Sequence, residues 1–107
     1  MQFSKAIMNC NEAIKLKPLS VRAHLYRGAL KYHGKAYELA IKDLTQATRI
    51  DNTCALAYFN RAVCYHDSGQ YQKALTDYGI VLLLGDHLML KVGQLCTFSV
   101  TFLYLQH

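Results

Sequence analysis

ALAYFNRAVCYHDSGQYQKALTDY, residues 55–78, decides how this chain folds. Tyr71, Ala74, Leu75, Tyr78 and Val81 keep the spacing that lays one apolar stripe along an α-helix. Ser68-Gly69 just before them is turn chemistry, able to stop one helix and reverse the chain. The stretch therefore reads as two helices, about 56–67 and 71–84, around a tight turn. Moving upstream by 34 residues, the same letters return: Ala23 for Ala57, Arg27 for Arg61, Tyr37 for Tyr71, Ala40 for Ala74 and Asp43 for Asp77. Here the helices fall at about 22–33 and 37–49 around Gly34, and Tyr37, Ala40, Ile41, Leu44, Ala47 and Thr48 form the second stripe. One further step aligns Phe3 with Tyr37, Ala6 with Ala40, Ile7 with Ile41 and Ala13 with Ala47. A fixed period of this size marks stacked repeats, each burying one face on the next.

These residues resemble the tetratricopeptide repeat family. Unit 55–88 supplies Tyr58, Ala62, Tyr65, Tyr71, Ala74 and Tyr78, with Val81 at the last small position. Unit 21–54 supplies Gly28, Tyr37, Ala40, Leu44 and Ala47, and departs from the pattern at His24, Arg27 and Lys31. Residues 1–20 match the second half of a unit through Phe3, Ala6, Cys10, Ala13 and Pro18. The resemblance covers about residues 1–86. It implies an all-α fold, a right-handed superhelical stack of antiparallel helix pairs. Residues 1–107 form a single domain on this reading: a half repeat at 1–20, full repeats at 21–54 and 55–88, and a divergent apolar tail at 89–107. The chain reads as a fragment or short form of a longer array.

Arg27 and Arg61 stand where the family usually has leucine, and Asp43 and Asp77 recur with them. Antiparallel helices bring each arginine level with its aspartate, so a pair across each helix hairpin is expected. Partly exposed, such a pair adds only about 0–1 kcal/mol and mainly sets register.

Composition removes several function classes. The 107 residues, 52% hydrophobic with one proline, suit one folded domain and exclude a disordered or collagen-like chain. The net charge of +5 is uneven: residues 1–50 hold nine Lys/Arg against three Asp/Glu, residues 51–107 three against four. Lys5, Lys15, Lys17, Arg22, Lys31, Lys35, Lys42 and Arg49 give the alternative reading, an RNA-associated accessory protein using the basic N-terminal half. They spread over several faces, and most tyrosines are committed to repeat packing, so nucleic acid is not the expected partner. Cys10, Cys54, Cys64 and Cys96 lie far apart without metal-ligand spacing, which argues for reduced core thiols and no metal or other cofactor. Met1–Lys5 lacks a basic stretch and apolar core of a secretory leader, so a cytoplasmic or nuclear location is expected.

No catalytic constellation survives inspection. Gly28 to Lys35 has five residues between its glycines where a phosphate-binding loop needs four, and Ala36 replaces the magnesium-binding hydroxyl. His66-Asp67-Ser68 are chain neighbours at a helix end, not residues converging from separate segments. The chain is expected to be no enzyme.

The resemblance implies a concave face lined by the first helix of each unit. Carried onto this chain, the face holds Arg22, Leu25, Tyr26, Ala29, Tyr32 and His33, then Leu56, Phe59, Asn60, Val63, His66 and Asp67. Such a surface suits an extended peptide or a partner helix, with aromatic anchors and Asn60 for a backbone amide. Chaperone-binding members clamp a terminal carboxylate with Lys, Asn and Arg over three units. Only Asn60 matches; Leu25, Ala29, Leu90 and Gln94 stand at the other places compared, so that mode is not expected.

After Asp86 the pattern fails. Val92 to Leu105 carries no charge over 14 residues, short of the roughly 20 needed to span a bilayer. Phe98, Val100, Phe102 and Tyr104 alternate as a strand would, while stacking on the last repeat favours helix, the state expected here. The tail packs over the last repeat, mediates self-association through residues 88–107, or is simply a non-repeat end.

Overall fold

Pro18 and the residues around it show how the repeat is punctuated. The computed structural model of the chain describes residues 2–92, which form five α-helices and, among the described residues, no strand. Helix α1, Gln2–Leu16, stops before Lys17-Pro18, where the proline ring disfavours helical backbone in the residue ahead of it. Ser20 then caps α2, Val21–His33, its Oγ accepting from the Ala23 amide at 3.1 Å. Helix α3 spans Tyr37–Ile50 and α4 spans Ala55–Asp67. Between them Asp51 closes a side-chain turn, accepting from the Thr53 amide at 3.0 Å and hydroxyl at 2.7 Å. Helix α5 covers Tyr71–Val92.

Two details differ from the expected pattern. The left-handed residue of the first hairpin is Lys35, at φ +63°, whereas Gly34 is not left-handed. Gly69, at φ +83°, holds the same place one period later, so Lys35 adopts a turn that its partner unit builds with glycine. Helix α5 also runs past the expected end near residue 84. Gly85, Asp86 and Leu88 occupy the places of Asp51, Asn52 and Cys54, or of Lys17, Pro18 and Ser20. Neither an Asx turn at 85, nor a proline at 86, nor a capping hydroxyl at 88 is present to break the helix. Residues 97–105, and the expectation that they are helical, lie outside the described residues.

Each helix packs on its chain neighbours, and α2 also touches α4. The centre lies between α2, α3 and α4, where Leu44, Ala40 and Ala47 are fully buried with Ala57 and Ala62. Small residues let the helices close up. A Cβ on Gly28 would lie 2.9 Å from Leu44 Cγ and 3.4 Å from the Ala40 carbonyl oxygen. Burying a leucine such as Leu44 contributes about 1.5–3 kcal/mol, so this close approach sustains the hairpin rather than merely permitting it. The consequence for function is geometric: α2 and α4, the first helices of the two full units, lie side by side.

Candidate functional site

A groove follows the line where α2 meets α4. One hollow of about 420 Å³ is lined by Val21, Arg22, Leu25, Tyr26, Ala29, Leu56 and Asn60. A second, of about 320 Å³, is lined by Ala29, Tyr32, His33, Leu44, Phe59, Asn60, Val63 and Cys64. Ala29 and Asn60 belong to both, so the hollows form one continuous surface. The small Ala29 leaves the space, and its position one helical turn after Leu25 and Tyr26 places all three on one face. Helical spacing does the same for Leu56, Phe59, Asn60 and Val63 on α4. Tyr26 is 61% exposed, Leu56 55% and Phe59 42%, so the rim of the groove is apolar and open to solvent. Phe59 is steadied by an edge-on contact with Tyr78, ring centroids 5.9 Å apart.

Of the residues expected on the concave face, Arg22, Leu25, Tyr26, Ala29, Tyr32, His33, Leu56, Phe59, Asn60 and Val63 line these hollows. His66 and Asp67 do not. The His66 ring turns edge-on to Tyr71, 5.3 Å between centroids, and its Nδ1 lies 3.2 Å from Asp67 Oδ1. Val21, Leu44 and Cys64 line the groove without having been expected there. Leu44 and Cys64 belong to the buried core, so their appearance in its floor follows from side-chain depth, which helical spacing alone does not give.

The groove is latched at one end. Tyr32 donates its hydroxyl to Asp67 Oδ2 at 2.6 Å, joining α2 to α4. That bond to the carboxylate, with some burial, pushes the Tyr32 hydroxyl up to about 12. The Tyr32 and His66 contacts in turn hold the Asp67 carboxyl below its ordinary value. Asn60, half-buried between the two hollows, has no hydrogen-bond partner among the described residues and so offers a free amide donor and acceptor.

Behind the groove, a polar ladder fixes the hairpins. Arg27 meets Asp43 with two bonds, Nε to Oδ2 at 2.9 Å and Nη2 to Oδ1 at 2.7 Å. Its Nη1 reaches Asn11 Oδ1 on α1 at 2.7 Å. Arg61 repeats the fork on Asp77 at 2.7 and 2.8 Å, and its Nη1 reaches Thr45 Oγ1 on α3 at 3.2 Å. Asp43 and Asp77 are only 4% and 2% exposed, while the Arg27 and Arg61 side chains keep 21% and 15% exposure, so each pair is buried at its carboxylate and partly exposed at its guanidinium. The reason is the third helix: each arginine spans its own hairpin and the helix before it, closing the repeat junction over the carboxylate. Burial alone would raise the Asp43 carboxyl, but hydrogen bonds from Arg27 and Lys31 outweigh it and hold the group below its ordinary value.

Cys10 and Cys64 are poorly suited to nucleophilic work. Burial pushes Cys64 up to about 11, and burial also raises Cys10. Among the described residues no helix is long and apolar enough to cross a membrane.

Comparison with known proteins agrees with the geometry. Residues 55–86 match the tetratricopeptide repeat model. Human tetratricopeptide repeat protein 6 is 56% identical over 48 residues, 45% of this chain and 9% of that protein. Human DnaJ homolog subfamily C member 7 is 38% identical over 71 residues, 63% of this chain and 14% of that protein. The chain thus spans about a tenth of the length of the curated relatives it matches. Among solved structures, the second TPR of Spaghetti (RPAP3) bound to HSP90 peptide SRMEEVD superposes with a TM-score of 0.74 and 27% identity, covering 77% of this chain and 76% of that one.

Proposed function

Because this chain is an array of tetratricopeptide repeats, we propose that it is a non-catalytic interaction scaffold whose α2–α4 groove takes an extended peptide or a partner helix. The observation that carries this reading is the continuous apolar groove with the unpaired Asn60 amide at its middle. Tyr26, Leu56 and Phe59 supply anchoring area, and a buried aromatic anchor dominates binding energy at such surfaces. Asn60 supplies the polar handle that fixes a backbone amide in register.

The solved relative was captured with an HSP90 peptide, but the occupant proposed here is different. Leu25 and Ala29 stand where a carboxylate-clamping unit would offer Lys and Asn, and both line the groove. An apolar or aromatic segment fits that lining better than an acidic chain end. Self-association through residues 88–107 forms a second part of the proposal, resting on the uncharged run from Val92 to Leu105 in the sequence.

The test is selection of binding peptides from a displayed random library, followed by titration against the chain and its Tyr26→Ala/Asn60→Ala variant. Selected peptides should carry aliphatic or aromatic anchors, and the variant should weaken them by about tenfold or more. Equal binding to the variant removes the groove from the account. Binding of SRMEEVD that depends on its free carboxylate would contradict the apolar occupant.

A further inference from the structure

We propose that the first full unit carries a phosphomonoester-binding site between α2 and α3, apart from the groove. A cavity of about 310 Å³ is lined there by His24, Arg27, Lys42, Asp43, Gln46 and Arg49, none of which lines either hollow of the groove. Three cations face one carboxylate, and that carboxylate is already occupied. Asp43 takes Arg27 at 2.7 Å and Lys31 at 3.0 Å. Lys42 and Arg49 have no ion-pair partner among the described residues, so the cavity keeps an uncompensated positive field.

His24 gives the cavity its specificity. Arg27 lies opposite Asp43, so His24, about one turn earlier, is level with Gln46, with Lys42 and Arg49 about one turn to either side. The His24 side chain is buried, with the residue only 5% exposed. Its Nδ1 lies 2.8 Å from the Ser20 carbonyl oxygen, which can only accept, so Nδ1 carries the proton. In the neutral ring Nε2 is then a bare acceptor, and no described residue donates to it. A buried acceptor without a donor is costly, and a ligand that supplies the donor relieves that cost.

The required ligand must therefore bring negative charge and an O–H together. A phosphomonoester near its second ionisation, about pH 6, does so: P–OH donates to Nε2 while the other oxygens accept from Lys42, Arg49 and the Gln46 amide. Phosphodiesters, sulfate and carboxylates are fully ionised near neutrality and bring no such proton. This favours a single phosphoryl group over a nucleic-acid backbone.

Stacking does not demand these side chains. One period later His24, Lys42, Gln46 and Arg49 are replaced by Tyr58, Thr76, Ile80 and Leu83, while Arg27 and Asp43 are kept as Arg61 and Asp77. Tyr58 also donates into the turn before its helix, to the Asn52 carbonyl at 3.0 Å. Anchoring that turn is thus a duty both residues perform; the free second nitrogen is peculiar to His24.

The experiment is a nuclear magnetic resonance titration of the isotope-labelled full chain at about pH 6.5 and constant ionic strength, near the second ionisation of a phosphomonoester. The ligands are inorganic phosphate, an end-blocked phosphoserine peptide, dimethyl phosphate, sulfate and a single-stranded oligonucleotide. Phosphate and the phosphopeptide should give saturable shifts at His24 Nε2 and along residues 42–49. Lys42→Gln/Arg49→Gln, both at exposed positions, should weaken them about tenfold. His24→Phe keeps a ring in place and should erase the preference for phosphate over dimethyl phosphate. Tighter binding of the phosphopeptide than of phosphate would identify a phosphorylated protein segment as the source; equal binding would identify a small phosphate compound. The proposal is overturned if dimethyl phosphate, sulfate or the oligonucleotide binds as tightly. Shifts unchanged in Lys42→Gln/Arg49→Gln, or no saturation below about 10 mM, overturn it as well.

Discussion

Lys35 is the residue at which the two full units differ most plainly in backbone cost. A side chain in the left-handed region costs about 1–2 kcal/mol, partly offset in glycine by greater freedom in the unfolded chain. Lys35→Gly should therefore stabilise the chain by about 0.5–1 kcal/mol, read as a higher urea midpoint. An unchanged or lower midpoint would mean the strain is absorbed elsewhere. Gly28→Ala should do the opposite. Helix propensity favours alanine by about 1 kcal/mol, but the 2.9 Å approach to Leu44 forces the core apart, and overpacking costs about 1–3 kcal/mol. A net loss in thermal midpoint is expected. Asp43 sets the acid limit. Its folded value is lowered, so its contribution is complete above the unfolded carboxylate value of about 3.9 and disappears as pH falls through the folded value. The difference in thermal midpoint between the chain and Asp43→Asn should shrink over that window, and a constant difference would contradict the assignment. Much at this scale was readable from letters. The Arg27/Asp43 and Arg61/Asp77 pairs are legible because both members recur at one period. Tyr32 and Asp67 are not, because they lie 35 apart and cross from one unit to the next, where self-comparison aligns no partner.

At the scale of elements, the arginine forks test how far buried charge holds the array. Removing one partner of a buried pair costs about 3–5 kcal/mol, because the survivor is left without compensation. Asp77→Ala should thus destabilise strongly, with Arg61 still held among α3, α4 and α5. Arg61→Leu/Asp77→Ala should recover most of that loss, since paired removal leaves no stranded charge. Denaturation of both variants checks this, and a double variant no better than the single one would make the fork itself the source of stability. Helix order and most boundaries could be read because Gly34 and Ser68-Gly69 punctuate strongly, whereas the Ser20 cap was found only in the structure. The burial of the forks could not, since it depends on Asn11 and Thr45 reaching in from the preceding helix. The far end of α5 is read only by noticing what is missing at Gly85, Asp86 and Leu88, and absent stop signals are a weaker pattern than present ones.

At the scale of the whole molecule, the described helices leave apolar surface at both margins. Met8 and Leu16 on α1 are 65% and 82% exposed, and Leu75 and Leu83 on α5 are 60% and 71% exposed. Under the proposed self-association, deleting residues 88–107 should turn an oligomer into a monomer in light scattering; an unchanged oligomeric state would remove it. The resemblance, rather than helical spacing, is what pointed to α2 and α4 as the helices beside this groove. His66 departs because Asp67 and Tyr71 hold its ring beyond the groove's latched end, a local preference that spacing does not encode. The central claim is that the α2–α4 groove is where a partner segment binds, and amide shifts on adding a library-selected peptide test it most directly. Shifts centred on Ala29, Asn60 and Val63, and lost in Tyr26→Ala/Asn60→Ala, are predicted. Shifts centred instead on the exposed faces of α3 or α5, with Ala29 and Asn60 unmoved, would contradict the account.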